Sequence, residues 1–167
     1  MEQKIKEWLE KINEVKKGNV DLSRDEDLSI ALMNLISLEE HFFFTAMKTE
    51  NQNYLDMLKS VREVRTGLMK KIVKEPKGEE WCISKHLLAT SMRLIEVGTK
   101  ELSKGSKEAA NDFFQQSFNL YSLFFAINLK MIETEKLVHN EEFKKEEKLM
   151  SKFSAIIKKI VDCCKEW

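Results

Sequence analysis

Residues 28–48, LSIALMNLISLEEHFFFTAMK, determine the fold class of this chain, because apolar side chains recur there at helical spacing on nearly every face. A helix that is apolar all round is one that other helices surround. The preceding Ser23-Arg24-Asp25-Glu26 has the residue order of a capping box, which predicts a helix start near Arg24. We therefore expect a buried helix at the centre of an all-α protein.

Outward from this stretch, the same spacing predicts further helices on both sides. Pro76 and Gly105 punctuate the chain, since proline cannot continue a helix and glycine readily adopts the left-handed conformation of a helix end. Ser106 is placed to cap the helix after Gly105. The predicted fold is an all-α helical bundle of about six helices, with four long core helices in two hairpins, flanked by a short N-terminal helix and a long C-terminal one. Its predicted segments are 5–15, 24–75 and 79–135 for the two hairpins, and 140–167.

Composition limits the alternatives. The chain has 167 residues, of which 43% are hydrophobic, so one domain over residues 1–167 is expected. Only 5 Gly and 1 Pro are present, too few for the turns of a many-stranded β fold. Lys+Arg and Asp+Glu both number 28, which leaves no overall basic field and makes nucleic-acid binding unlikely on charge grounds.

The expected location is the cytoplasm. Three cysteines, an odd number, sit in a chain large enough to fold without disulfides, which favours a reducing compartment. The N-terminal MEQKIKEWLEKINEVKK carries charges throughout, unlike a secretory signal. The longest apolar stretch, Phe118 to Ile132, is interrupted by polar residues and is shorter than the roughly 20 residues of a membrane span. We interpret it as a core helix and expect no membrane association.

Glu39-Glu40-His41, in the middle of the buried helix, is the first candidate site. Glu39 falls on the same helical stripe as the apolar core positions, so at least one carboxylate is expected to point inward. A buried carboxylate must be paired, protonated or bound to metal. The simpler interpretation is an ion pair that fixes helix register, and the alternative is a ligand or acid–base site. The candidate ion-pair partners are Arg62, Arg65 and Arg93.

Cys82, Lys85 and His86 form the second candidate, because spacing of three and four residues places them on one helix face. A thiol near a helix N-terminus with cationic neighbours is in an activating environment, although lone cysteines are more often small buried hydrophobes. The polar face continues through Arg93 and Glu96. If the second and fourth predicted helices pack side by side, Glu39 or His41 would approach Cys82 and His86, giving a mixed ligand set that zinc or iron accepts.

Recognised metal and phosphate motifs are absent from the sequence. There is no Glu-x-x-His, no His-Glu-x-x-His, no Cys-x-x-Cys and no Gly-x-Gly. The sequence therefore identifies neither a metal nor another cofactor, and whether the protein is an enzyme stays open.

A stripe of small residues and a run of aromatic residues indicate contacts between helices. Ser84, Ser91 and Gly98 lie seven residues apart on one face, where small side chains let a neighbouring helix approach. The run Phe42-Phe43-Phe44 cannot face one core, so a ring is expected at the surface as part of an interface.

The function we favour from sequence is a non-enzymatic helical-bundle module for protein interaction or assembly, binding a protein partner or forming a homo-oligomer. The alternative is a small metal-binding or thiol-dependent enzyme with a polar site between the second and fourth predicted helices. A third hypothesis is nucleic-acid binding through a basic face of the third predicted helix, which Glu63 weakens. That face would comprise Lys59, Arg62, Arg65, Lys70 and Lys71.

Overall fold

The computed structural model describes Glu10 and residues 22–132. Residues 22–132 form helices α1 (Ser23–Thr49), α2 (Asn53–Ile72), α3 (Glu80–Ser103) and α4 (Lys107–Asn128), with no strand in this part of the chain. The all-α prediction is confirmed, and these helices are the four long ones expected. The predicted C-terminal helix, and all of the N-terminal one except Glu10, lie outside the described residues, so the count of six stays a prediction.

The start of α1 differs from the predicted capping box. The helix begins at Ser23, and its N-cap residue is Leu22, whose carbonyl accepts the amide of Glu26 at 2.8 Å. Ser23 therefore lies in the first turn, one position further into the helix than expected. Ser106 does occupy the N-cap position of α4, but its side chain makes no capping hydrogen bond.

The end of α4 comes earlier than the sequence suggested. The helix ends at Asn128, and Lys130 adopts a left-handed conformation with φ of 56°. The Met131 amide then reaches back to the Ala126 carbonyl at 2.8 Å, which closes a Schellman-type cap. Lysine is an uncommon residue in this conformation, and without a glycine the sequence carried no signal for the stop.

The α3–α4 hairpin turns where Gly105 predicted. Gly105 has φ of +83°, a conformation that side chains rarely adopt, and the Ser106 amide donates to the Glu101 carbonyl at 3.0 Å. The short turn makes α3 and α4 antiparallel neighbours, as expected. Because α1 and α2 pack in the same way, the described chain is two helical hairpins.

The two hairpins share a core at one end. Ser29, near the start of α1, is hydrogen-bonded to Tyr121, near the end of α4, and Asn128 of α4 donates to Ser84, near the start of α3. Helices α1 and α3 therefore start at the same end and run parallel. The buried core lies at this shared end, and we refer to it as the core end. Its residues are Leu32, Met33, Met69, Ile72, Val73, Leu88, Tyr121, Phe124, Phe125, Ala126 and Met131.

The stripe of small residues in α3 packs against α4, as its spacing predicted. Ser84 and Ser91 are fully buried, and the Ser117 hydroxyl of α4 donates to the Ser91 carbonyl at 2.8 Å. At Gly98 a Cβ atom would lie 2.6 Å from a ring carbon of Phe114. The close approach of the two helices thus depends on the absence of large side chains along this face.

Tyr121 joins the two hairpins through a buried hydrogen bond. The Ser29 hydroxyl donates to the Glu26 carbonyl at 2.6 Å, so the Tyr121 hydroxyl donates to Ser29 Oγ at 2.7 Å. Burial raises the pKa of Tyr121 to about 12, and the charges of Glu26 and Asp27 add to the rise. The phenol is therefore held in its protonated form.

We expect Tyr121→Phe to cost about 1 kcal/mol near neutral pH, the usual net value of one hydrogen bond. The wild type should also lose stability between pH 10 and about 12, because the unfolded phenol ionises at the lower value and the folded one at the higher. Tyr121→Phe should not show this loss of stability, because it has no phenol at this position. Urea denaturation across this pH range measures both effects.

Tyr54→Phe is the matched control, since Tyr54 is the other of the 2 tyrosines and makes no hydrogen bond through its hydroxyl in the described structure. Equal alkaline loss in the wild type and in Tyr121→Phe would contradict the assignment.

Candidate functional site

Away from the core end, the faces of α1 and α3 that are buried in the core become exposed to solvent. In α1, Met33 is 4% exposed, whereas Phe44, three turns further on the same face, is 63% exposed. In α3, Leu88 is fully buried, whereas Leu102, fourteen residues later on the same stripe, is 48% exposed. Both helices therefore present apolar side chains to solvent away from the core end.

We call this exposed apolar surface the open face. On α1, Phe43 and Phe44 are in edge contact, with ring centroids 5.3 Å apart, and Met47 lies one turn beyond them. Methionine and aromatic side chains at a surface are typical of protein-binding sites, since they offer large contact areas that adapt to a partner. The open face comprises Phe43, Phe44 and Met47 of α1 with Ile95 and Leu102 of α3.

A polar groove of about 570 Å³ adjoins the open face between α1 and α3. Arg93 of α3 crosses this groove, donating to Glu40 of α1 and to Glu96 one turn further along α3. Both carboxylates and the guanidinium are partly exposed, at 38–48% of their side-chain surfaces, so water screens the pairs. The groove is lined by Ser37, Glu40, His41, Phe44, Thr45, Lys48, Arg93 and Glu96.

Glu39 lies on the other side of α1, facing α2. Its two carboxylate oxygens accept from Arg65 Nε at 2.5 Å and from Arg62 Nε at 2.8 Å. Burial acts to raise the pKa of Glu39, but the two guanidinium groups outweigh it through their hydrogen bonds and charges, and the pKa lies below its ordinary value. The carboxylate is therefore ionised and fully engaged within the α1–α2 hairpin.

Cys82, Lys85 and His86 are not part of the groove. Cys82 is exposed at the start of α3, and at 1.5 Å per residue it lies about 16 Å below Arg93 along the helix axis, with His86 about 10 Å below. Of the eight candidate residues, the structure brings together Glu40, His41, Arg93 and Glu96, and separates them from Glu39 and from the start of α3.

No metal-binding cluster occurs in the part of the chain that the structure describes. Within residues 22–132, no three His, Cys, Asp or Glu side chains are close enough to hold a metal ion. The mixed set of Glu39 or His41 with Cys82 and His86 requires helices two and four of the prediction to meet at one height. The structure instead places His41 beside Arg93, two turns beyond His86.

Lys48 is a groove residue that the sequence analysis did not single out. It lies four residues after Phe44, which lies four after Glu40, so the three form one ridge along the helix. The spacing was visible in the sequence. The spacing did not identify a site residue, because the sequence does not show which face of α1 stays exposed in the fold.

Glu80 joins chain segments at the core end, away from the groove. Its buried carboxylate accepts from Lys130 Nζ at 2.6 Å and from the Lys77 amide at 2.9 Å, which ties the α2–α3 connection to the end of α4. Burial acts to raise the pKa of Glu80, but these two hydrogen bonds and the Lys130 charge outweigh it and hold the pKa below its ordinary value. Glu80 thus helps to hold the α2–α3 connection and the end of α4 together at the core end.

Among the described helices, none is both long and apolar enough to cross a bilayer. Searches with protein-family models, curated protein sequences and solved structures give no match to this chain.

Proposed function

We propose that this protein is a non-enzymatic, cytoplasmic interaction or assembly module, which binds a protein partner or another copy of itself through the open face. The observation that carries the proposal is Phe44, whose ring is 63% exposed on the same helix face that is buried at Met33. Leaving such side chains in water forgoes burial free energy of about 1.5–3 kcal/mol each. A protein partner that buries these side chains gains that free energy on binding.

The polar groove supports recognition rather than catalysis. Its charged groups already neutralise one another in part, and they are exposed to solvent. Catalytic acids and bases are usually buried away from water. Charged residues beside an apolar patch are the usual rim of an interface and set its orientation and specificity. The odd number of cysteines favours a reducing compartment, which is why the proposal includes the cytoplasm.

The test places a photo-crosslinking amino acid at position 44 in cells that make the protein. We expect covalent adducts with a protein, and we expect Phe44→Asp to weaken that contact by about 2 kcal/mol, or roughly thirtyfold, as for a central interface residue. Mass spectrometry of the adducts identifies the partner, and binding of the identified partner by calorimetry measures the loss.

The same crosslinker at position 64 is the control, because Val64 on α2 is 55% exposed but lies outside the open face. Adducts from position 44 that are no more abundant than those from position 64 would overturn the proposal.

A further inference from the structure

The charges on the α1 ridge are self-complementary. Glu40 lies one turn before Phe44 and Lys48 lies one turn after it, and all three line the groove. If two copies of this ridge meet antiparallel across a two-fold axis at Phe44, each Glu40 comes opposite the Lys48 of the other copy. Interlocking of two ridges with four-residue spacing is the commonest packing class between helices.

Each copy also has ion-pairing capacity left at these positions. Arg93 serves both Glu40 and Glu96, so the two carboxylates share one guanidinium partner. Lys48 makes no ion pair with any described residue. A second copy would give each group an ion-pair partner, because its Lys48 would lie opposite Glu40 and its Glu40 opposite Lys48.

We propose that the open face binds a second copy of this chain, forming a two-fold dimer in which α1 packs antiparallel to α1 with Phe44 at the centre and Glu40 paired to Lys48 of the other copy. The inference rests on the proposed function in one respect, that the open face binds protein. It adds the occupant, the symmetry and the register. The contact is isologous, so the same residues serve both sides.

Sedimentation equilibrium of the wild type and of charge variants tests the register. We expect a mass of twice the 19.6-kDa chain for the wild type. Lys48→Glu and Glu40→Lys should each weaken self-association at least tenfold, because each homodimer would face like charges at both contacts. An equimolar mixture of the two variants should recover the wild-type affinity within about threefold, since every contact in the mixed dimer is again between opposite charges.

The mixture is the decisive sample. Glu40→Lys also removes the pair with Arg93, so a general loss of structure would weaken the mixed dimer as well, whereas the proposed register predicts recovery. Lys59→Glu, an exposed reversal on α2, is the control that should dimerise like the wild type.

The outcomes separate this inference from the proposed function. A wild type that stays monomeric at the highest attainable concentration, while position 44 crosslinks to a different protein, would overturn the second-copy inference and leave the proposed function standing. Dimerisation that is insensitive to both charge reversals would overturn the register. A monomer without adducts at position 44 would remove both.

Discussion

Glu39→Ala should lower the free energy of unfolding by about 3–5 kcal/mol, the largest single effect we expect in this protein. The Arg65 side chain is only 7% exposed, and the Glu39 carboxylate, 11% exposed, is its charged partner. The truncation would leave a guanidinium in the interior with a weak contact to Met69 Sδ at 3.9 Å. An unpaired buried charge is far more costly than a missing surface pair. Urea denaturation followed by circular dichroism measures the change.

Glu40→Ala is the matched control, one position along the same helix. Its pair with Arg93 has both side chains 48% exposed, so its removal should cost no more than about 1 kcal/mol. Replacing the buried pair together, with Glu39→Leu and Arg65→Met, should restore much of the stability, because no charge is then left buried. If Glu39→Ala cost no more than Glu40→Ala, the buried ion pair would not be a major contributor.

The loss from Glu39→Ala should shrink in acid. Because the two arginines hold the pKa of Glu39 below its ordinary value of 4.5, its contribution is complete above that pH and disappears as the pH falls through the lower folded-state value. Once protonated, the wild-type carboxyl group no longer neutralises Arg65, so wild type and variant converge. Parallel denaturation curves from neutral pH into acid follow this convergence.

Gly98→Val should destabilise the protein by about 3 kcal/mol, within the upper range for overpacking a close helix contact. Even a single Cβ at this position would lie 2.6 Å and 2.8 Å from two ring carbons of Phe114 and 3.2 Å from the Ala110 carbonyl oxygen. The ring can rotate away in part, but the backbone of α4 cannot, so the two helices must move apart. Thermal and urea unfolding measure the loss.

Gly67 supplies the control, because it is also in a helix interior and a Cβ there would meet nothing within 4 Å. Gly67→Ala should stabilise the protein by about 0.5–1 kcal/mol through helix propensity alone, whereas Gly98→Ala should destabilise it despite the same gain. Changes of the same sign at both positions would show that Phe114 accommodates the added atom without separating α3 from α4.

Much of the local structure was predictable because helix signals are local. The apolar spacing of residues 28–48 predicted α1, and Ser84, Ser91 and Gly98 indicated the face that packs on α4. Pro76 marked the end of the α1–α2 hairpin, and Gly105 marked the turn of the α3–α4 hairpin. The stop at Asn128 was missed because the left-handed residue after it is Lys130, which no propensity rule favours there.

The candidate site was predictable from the sequence only in part. Adjacent residues on a helix are 100° apart, so the sequence indicated that Glu39 and Glu40 face different surroundings and that arginines were available to them. It did not assign the partners. The structure gives Arg62 and Arg65 to Glu39 and gives Arg93 to Glu40, because α2 and α3 lie on different sides of α1.

The sequence by itself thus determined an all-α chain, its turns, and a set of charged residues that need partners. The expectation that α1 is buried on nearly every face was wrong, since Ile30, Leu38 and Phe44 are exposed. The tertiary structure alone decided which ring of Phe42-Phe43-Phe44 is the most exposed, Phe44, and that Met47 is exposed while Met33 and Leu88 are buried in the shared core. The physical reason is that helical periodicity repeats within one segment, whereas the cover over a face depends on where distant segments lie. An apolar stripe can therefore be core at one end of a helix and solvent-exposed at the other.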